Sequence, residues 1–525
     1  MSDEAQEWKS PHNPWLITAA VMLAVFIFVL DSTIANVALP HMAGSFSASQ
    51  DESMWILTSY LIASGIILPS VGWFSNVFGR KAFFMTCILI FTFASVLCGL
   101  STSLDTMLVS RVIQGIGGGA MLPIAQAIMM ESFPKEQRGV AMSIFALGVV
   151  TAPVIGPLLG GWITDNYSWN WIFFINLPFG LLAATLSNTF IEDPPYAQKK
   201  GLQKIDYIGF GFLIVWLVSL QVVLDKGQNA DWFNAQWICW LSGVSIISMI
   251  CFVASQLKNK DSIIDLSIFK DRNFAIGSSL LMLVNAVLYS SIAIMPLFLQ
   301  SLLGYTAYLS GLATMPRGVG SLSAVLFTAI IGNKLDARFL VTAGLSCIGI
   351  SSLMFGLLSL DISMFNIVLP NVIMGFGLGL TIVPLTTLSL VTLDNHKMTN
   401  ASGIQNLMKN IGGAIGTSVV NTLLIRNAQK HQFLMVGHLS PLNPVFKYKV
   451  ASTQAALSTY MHATVAEQKA NYIMYGELLK QSNLWSYIDA FRIFGILGLC
   501  IIPFLFLMKK PDFDKNASTD MSALH

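Results

Sequence analysis

Charge is what this chain has least of. Asp, Glu, Lys and Arg make up 11% of its 525 residues while 54% are hydrophobic, against roughly 25% charge in soluble domains. A water-facing fold has no room to hide that much apolar surface. The spacing of a metal site or disulfide framework is missing too. Cys87, Cys98, Cys239, Cys251, Cys347 and Cys500 all fall in apolar runs, and no two form CxxC. No apolar span carries HExxH, GxSxG or paired acids, which disfavours an intramembrane enzyme. The first ten residues are acidic and polar rather than basic and then apolar. No cleavable signal peptide is therefore expected, and the first apolar span serves as its own insertion signal. A net charge of +2 argues neither way on nucleic acid, and none is expected as a partner.

What the chain does carry is apolar runs of about 20 residues, the length of a helix that crosses hydrocarbon. Fourteen spans are predicted, near 15–38, 53–74, 82–101, 106–130, 139–163, 170–191, 206–224, 234–256, 274–299, 309–331, 339–358, 364–392, 401–424 and 486–508. Lys and Arg fall on alternate connections. Lys9, Arg80, Lys81, Lys135, Arg138, Lys199, Lys200, Lys204, Lys258, Lys260, Lys270, Arg272, Lys334, Arg338, Lys397, Lys509, Lys510 and Lys515 share one side, and the short connections of the other side hold only Lys226. By the positive-inside rule the first set is cytoplasmic, as are both termini.

The chain also repeats itself. Arg111-Val-Ile-Gln-Gly-Ile-Gly-Gly-Gly119 aligns without gaps on Asn371-Val-Ile-Met-Gly-Phe-Gly-Leu-Gly379, and Gly72-Trp-Phe-Ser-Asn76 on Gly332-Asn-Lys-Leu-Asp336, both at an offset of 260 (371 minus 111, 332 minus 72). The domain reading is a six-helix bundle over 1–191, two inserted helices with their flanking loops over 192–272, and a second six-helix bundle over 273–525. That second bundle includes an outer loop at about 426–485. Parallel repeats of this kind form transporters with a site near the midplane.

Asp31 is the one charged residue between Lys9 and Asp51, deep in the apolar run Pro14 to Pro40. A lone carboxylate in hydrocarbon costs several kcal/mol unless protonated, paired or hydrated, so it is a natural proton-coupling point; the alternative is a packing Asp bonded to a neighbouring helix. Arg111 is the second costly charge. At about 1.5 Å per residue, Arg111 lies about 7–8 Å below the outer end of its span and Asp31 about 10 Å below the end of its own. Sharing a depth, they can pair; the alternative is an Arg bonded to carbonyls or snorkelling outward. Gln114, Gly115 and Gly118 follow on the same helix face, and Gly115 with Gly119 allows close helix approach. No strand precedes this glycine run and no Lys-Ser/Thr follows it, so it is no phosphate loop. In span five Gly148, Ala152, Gly156 and Gly160 recur every four residues beside Pro153, Pro157 and Gly161, a packing seam with a built-in bend. The repeat does not copy the charges: Asp31 maps to Ser291 and Arg111 to Asn371.

Leu30-Asp31-Ser-Thr-Ile-Ala-Asn36-Val-Ala-Leu-Pro40, the loop Gly72 to Lys81, Arg111-Val-Ile-Gln-Gly115 and Gly148 to Gly161 together resemble the ordered motifs of the fourteen-span drug:proton antiporters, EmrB/QacA-like, of the major facilitator superfamily. Trp169-Asn-Trp-Ile-Phe-Phe-Ile-Asn176-Leu-Pro178-Phe-Gly180 and Asp225-Lys-Gly-Gln-Asn-Ala-Asp-Trp232 resemble its EmrB branch. The resemblance implies an all-α membrane protein of the major facilitator fold in a bacterial inner membrane. It implies proton-driven export of amphipathic or hydrophobic compounds by alternating access, with no cofactor and no metal. Asp31 and Arg111 carry the proton coupling. Gly72, Asn76, Gly79, Arg80 and Lys81 form a cytoplasmic gating loop, and Gly148, Pro153, Gly156, Pro157 and Gly160 the antiporter motif. Asn76 stands where an acid is common, while Asp336 holds the equivalent place in the second half.

By the same analogy Asn36, Gln126, Asn285, Tyr289, Thr381 and Thr387 line the substrate cavity, with Gln114 from span four and Gln405, Asn406 and Lys409 from span thirteen. Lys409 replaces the Arg usual in this branch. It either attracts an anionic substrate, balances an acid or snorkels inward. Arg317 reads as structural or gate-forming. The outer segment from about Arg426 to Trp485 reads as one or two amphipathic helices through Tyr460, Met461 and Leu478. These either cap the vestibule or dock a periplasmic adaptor of EmrA type that leads to an outer-membrane channel. The competing functional reading is a specific exporter of an endogenous organic acid, peptide or siderophore-like metabolite; an intramembrane enzyme is the remote one.

Overall fold

The structure, a computed structural model, describes residues 11–133, 138–193, 206–258, 266–331, 335–390, 392–393, 398–440 and 442–509, which form helices and turns. Of the charges expected on the cytoplasmic side, Lys9, Lys135, Lys199, Lys200, Lys204, Lys260, Lys334, Lys397, Lys510 and Lys515 lie outside them. The helices are α1 (Pro14–Ser45), α2 (Gln50–Ser53), α3 (Trp55–Ile67), α4 (Val71–Phe78), α5 (Arg80–Gly99), α6 (Leu104–Gly119), α7 (Met121–Ser132), α8 (Arg138–Asn166), α9 (Trp171–Phe174), α10 (Asn176–Phe190), α11 (Tyr207–Lys226), α12 (Gln236–Lys258), α13 (Arg272–Leu297), α14 (Ala307–Thr314), α15 (Pro316–Ile331), α16 (Ala337–Phe355), α17 (Met364–Leu390), α18 (Met398–Val436), α19 (Pro444–Ser458), α20 (Ala463–Cys500) and α21 (Ile502–Leu505).

Among the described residues ten helices are long and apolar enough to cross a membrane, so the chain is a multi-pass membrane protein. The four other stretches read as spans are helical as well. Residues 55–78 are α3 and α4 joined by the 3-10 turn Leu68–Ser70, which holds Pro69. Residues 307–331 break at Pro316, and α8 and α18 are continuous. Local chemistry sets the starts. Asn13 caps α1, its side chain accepting from Trp15 N–H at 3.0 Å with Pro14 at the first position, and Ser103 with Thr106 forms a reciprocal capping box on α6.

The same packing order occurs twice. α1 packs on α8, α3 on α6, and α5 on α6 and α10; later α13 packs on α18, α15 on α17, and α16 on α17 and α20. Small residues permit the approach. A Cβ on Gly156 would strike the Thr33 side chain, and one on Gly416 the Ala286 carbonyl. A Cβ on Gly115 would strike the Tyr60 carbonyl, and one on Gly375 that of Arg317.

Two seams join these groups. α8 lies against α14 and α15, where Gly311 sits under the Pro157 carbonyl and Tyr308 N–H donates to Asp165 Oδ2 at 3.0 Å. α18 lies against α3, the Leu68–Ser70 turn and α4, and Asn410 Nδ2 donates to the Leu61 carbonyl at 3.3 Å. α11 fills in beside α3 and α18. It is tied to α12 by Asp206, whose carboxylate accepts from Gly209 N–H at 2.8 Å and from Gln256 Nε2 at 2.8 Å. In their most apolar windows α11 and α12 are 33% and 22% buried, against 61% for α1, which marks this pair as peripheral.

α18 and α20 run for 39 and 38 residues, about 58 Å each at ~1.5 Å per residue, roughly twice the ~30 Å of hydrocarbon. The outer segment is thus a continuation of two spans rather than a loop beginning at Arg426. Tyr460 and Met461, expected in a helix, lie in the turn between α19 and α20. Hydrogen bonds from His431 Nε2 and Asn427 Nδ2 to Asp489 Oδ2, at 2.8 and 3.3 Å, clamp its base.

Candidate functional site

α1 and α6 place Asp31 and Arg111, both fully buried, face to face: Arg111 Nη1 donates to Asp31 Oδ2 at 2.6 Å. Asp31 Oδ1 accepts from Gln114 Nε2 and Asn176 Nδ2, each at 2.9 Å. Gln114 Oε1 in turn accepts from Arg111 Nη1 at 2.7 Å, and Gln114 Nε2 reaches Ser95 Oγ at 2.7 Å. Arg111 Nε donates to the Ile56 carbonyl at 3.1 Å, and the guanidinium lies over the Tyr60 ring at 4.5 Å and near Phe173 at 5.4 Å. Every group facing Asp31 is a donor, which satisfies the ionised carboxylate. Three donors fill three of the carboxylate's roughly four acceptor sites, so a proton on Oδ2 cancels the charge that holds the guanidinium. Among the described residues Arg111 Nη2 and Asn176 Oδ1 have no hydrogen-bond partner, and the aromatic faces partly offset the former's loss of water.

Gln114 therefore belongs to this centre. Ser95, Asn176, Tyr60 and Phe173 complete the centre. Asn176 had a signal, as an amide inside an apolar span within a recognisable run; a serine or an aromatic in a membrane helix has none.

The equivalent place in the second half is uncharged at Ser291 and Asn371, but it holds a cation. Arg317, from α15, donates through Nη2 to Ser291 Oγ at 3.0 Å and through Nε to Asn371 Oδ1 at 3.1 Å. Lys409, half-buried on α18, has no ion pair among the described residues. Gln405 Nε2 donates to Ser389 Oγ, which ties α18 to α17, and Asn406 is 8% exposed.

The expected cavity residues differ in exposure. Thr381, on α17, is fully buried; its hydroxyl donates to the Gly377 carbonyl at 2.8 Å and it packs against Gly344 of α16. The rotation of α17 turns Thr381 toward α16. Asn285 is 6% exposed and spends its amide on the Leu281 carbonyl, while Asn36 and Thr387 bond carbonyls one turn back. Tyr289 stays 38% exposed beside Gly413, and Gln126 is half-buried.

Gly72 and Asn76 lie on α4. Gly79 then turns the chain with φ of +84°, the left-handed region that favours glycine, and starts α5. Lys81 N–H donates to Asp193 Oδ1 at 2.8 Å, and Lys81 Nζ to the Asn188 carbonyl at 2.6 Å. Asp193, missed in the sequence, thus supplies the carboxylate at the start of α5. In the second half Asp336 caps α16, accepting from Arg338 N–H at 3.1 Å. Of the α8 motif, Gly156 and Gly160 meet Thr33 and Ile34 of α1, Gly148 meets Met22, and the Pro157 carbonyl meets Gly311. Pro153 lies within the same helix.

A family model described as Major Facilitator Superfamily matches residues 21–417. The chain is 34% identical over 498 residues to a probable multidrug resistance protein, EmrY, of Escherichia coli (strain K12), which covers 95% of this chain and 96% of that one. It is 35% identical over 435 residues to the multidrug export protein EmrB of Haemophilus influenzae, covering 82% and 84%. It is 32% identical over 495 residues to the fatty acid resistance protein FarB of Neisseria gonorrhoeae, covering 94% and 96%. A bacterial homolog of the human lysosomal transporter Spinster, solved in an inward-facing and occupied conformation, matches with a TM-score of 0.59 at 16% identity over 95% of this chain and 97% of that one, a likeness of fold.

Proposed function

The chain belongs to the major facilitator superfamily, in its EmrB-like group of secondary transporters, and we propose that it exports amphipathic or hydrophobic toxic compounds in exchange for protons. The observation that carries this reading is the buried Asp31–Arg111 pair with its ring of donors. A proton arriving from outside neutralises Asp31, frees Arg111 and Asn176, and weakens the hold of α1 on α6; loss of the proton to the cytoplasm restores the pair. The two seams, α8 on α14 and α18 on α3, then open in turn. We read the chain as fourteen spans, two six-helix bundles over 1–191 and 273–525 with an inserted pair, in a bacterial inner membrane with both termini cytoplasmic. The gradient, rather than a cofactor, drives it.

Names of relatives support the substrate class: two are called multidrug proteins. A periplasmic adaptor of EmrA type and an outer-membrane channel fit the same reading. In support, the protruding ends of α18 and α20 with α19 expose Phe433 (78%), Tyr448 (75%) and Tyr472 (76%), more aromatic surface than a bare aqueous face carries. A second reading, export of a specific organic acid, is favoured by Arg317 and Lys409, which have no acidic partner among the described residues, and by the fatty acid resistance named for FarB.

Energised everted vesicles provide the test. Adding dyes or lipophilic weak acids should alkalinise the lumen through the wild type and not through Asp31→Asn. Undiminished proton movement in Asp31→Asn would sink the assignment, whereas a response confined to the acids would favour the second reading.

A further inference from the structure

Another carboxylate, Asp225, lies near the end of α11. Gln221, one turn earlier, donates through Nε2 to Asp225 Oδ1 at 3.3 Å, and the Thr58 hydroxyl of α3, the helix on which the end of α11 packs, faces the same carboxylate. Asp225 is half-buried and Thr58 is 6% exposed. The adjacent Lys226 lies over the Trp55 ring at 5.4 Å. Among the described residues no cation is within ion-pair distance of Asp225. Two neutral groups face the carboxylate, and neither is lost on protonation: Oδ1 still accepts from Gln221, and the new O–H has the Thr58 oxygen to donate to. The side chain therefore changes charge without losing its place.

α3 joins Asp225 to the buried pair. The Ile56 carbonyl and the Tyr60 ring both meet Arg111, and four residues apart they differ by about 40° around the helix. Thr58, midway, points about 160° from each. One face of α3 thus rests on Arg111 and the opposite face on Asp225. α11 reaches the second half as well, where Ser418 Oγ of α18 donates to the Leu224 carbonyl. Leu217 and Gln221 line a crevice with Leu61, Gly65 and Asn410.

We propose that Asp225 is a second proton-binding site, which ties the inserted helix α11 through Thr58 to the Asp31–Arg111 centre. Ionised, it holds α3 by a charge-assisted hydrogen bond; protonated, it keeps only neutral ones, about half as strong, and α11 loosens from α3. The charged groups around it are few. Its own helix offers Lys226, and α2 offers Glu52, which is engaged by the N–H and hydroxyl of Ser49. The connection to α12 and the α18 helix offer Asp231 and Arg426, paired with each other at 3.4 Å. α3 contributes Thr58 and Trp55, neither of which titrates.

The inference rests on the proton-exchange reading, and infrared titration of the full chain in lipid separates the two. Asp31→Asn and Asp225→Asn should each remove a different protonated-carboxyl band. Asn keeps the geometry at residue 225, so a merely structural carboxylate leaves the Asp31 band where it was; the proposed link displaces its midpoint. Thr58→Val removes a donor to the ionised form and should move the Asp225 midpoint up by about one pH unit. Should Asp225→Asn remove no band, or Thr58→Val leave the midpoint in place, the inference is overturned while the exchange reading stands. If the vesicle assay finds undiminished proton movement in Asp31→Asn, the exchange reading is the one that falls.

Discussion

The two halves of the molecule keep the same clamp and change its charge. In the first half Arg111 of α6 reaches Asp31 of α1 and braces on the Ile56 carbonyl of α3. In the second, Arg317 of α15 reaches Ser291 of α13 and Asn371 of α17. Arg317 aligns with Leu57, the neighbour of Ile56, at the offset of 260 residues (317 minus 57). A guanidinium therefore joins the first, second and fourth helices of each half, supplied from the fourth in one and from the second in the other. What differs is the acid. Bracing three helices needs a rigid fork of donors, which both halves have; taking up a proton needs a carboxylate, which only the first clamp has.

Breaking the clamps should separate these roles. Arg111→Leu strands a fully buried carboxylate, and loss of one partner of a buried pair costs about 3–5 kcal/mol. Arg317→Leu leaves two neutral side chains short of a donor, about 1–3 kcal/mol. Thermal unfolding of the purified variants reads the difference, and equal losses would mean that the acid adds nothing to the first clamp.

The packing seams should be nearly symmetric, with a small bias. Gly416→Ala drives a methyl into the Ala286 backbone, which cannot turn away, while Gly156→Ala meets the Thr33 side chain, which can rotate. Overpacking costs about 1–3 kcal/mol, and Gly416→Ala should lie at the upper end. The reverse order in the same unfolding assay would show that α1 and α8 are the more rigid pair.

How much of this was legible in the sequence follows from rarity. Asp31 and Arg111 stand out because a charge in an apolar run is costly, and their common depth follows from helix rise alone. Ser95, Tyr60 and Phe173 do not stand out, since such residues populate every span and only helix rotation brings them to Arg111. The same missing rotation hides that α17 turns Thr381 toward Gly344. Hydropathy also stops where the bilayer stops, which is why α18 and α20 run on past their predicted ends. Asp193 was hidden for another reason: Asn76 breaks the loop's usual pattern, and the compensating acid is more than a hundred residues away in sequence.

That compensation gives a smaller effect. Asp193→Ala and Asp336→Ala each remove a carboxylate from the start of the third helix of a half, and loss of such a cap costs about 1 kcal/mol. Equal small shifts in unfolding temperature are expected. A much larger loss for Asp193→Ala would mean that it also anchors Lys81 against the end of α10.

The smallest expected effect is none, and it bears hardest on the comparison. Ser291→Asp in an Asp31→Asn background gives Arg317, whose Nη2 already lies 3.0 Å from the Ser291 oxygen, an acid of its own. The second half then holds a carboxylate–guanidinium pair at the place equivalent to the first. The new carboxylate still lacks what surrounds Asp31. Position 114, a donor to Asp31, aligns with Met374 in the second half, and position 95 aligns with Phe355, so no amide–hydroxyl ring is there to receive the group in either state of charge. Proton movement in vesicles should stay at the Asp31→Asn level. Recovery of coupling would show that any acid beside a clamp arginine suffices, and that the donor ring around Asp31 is packing rather than machinery.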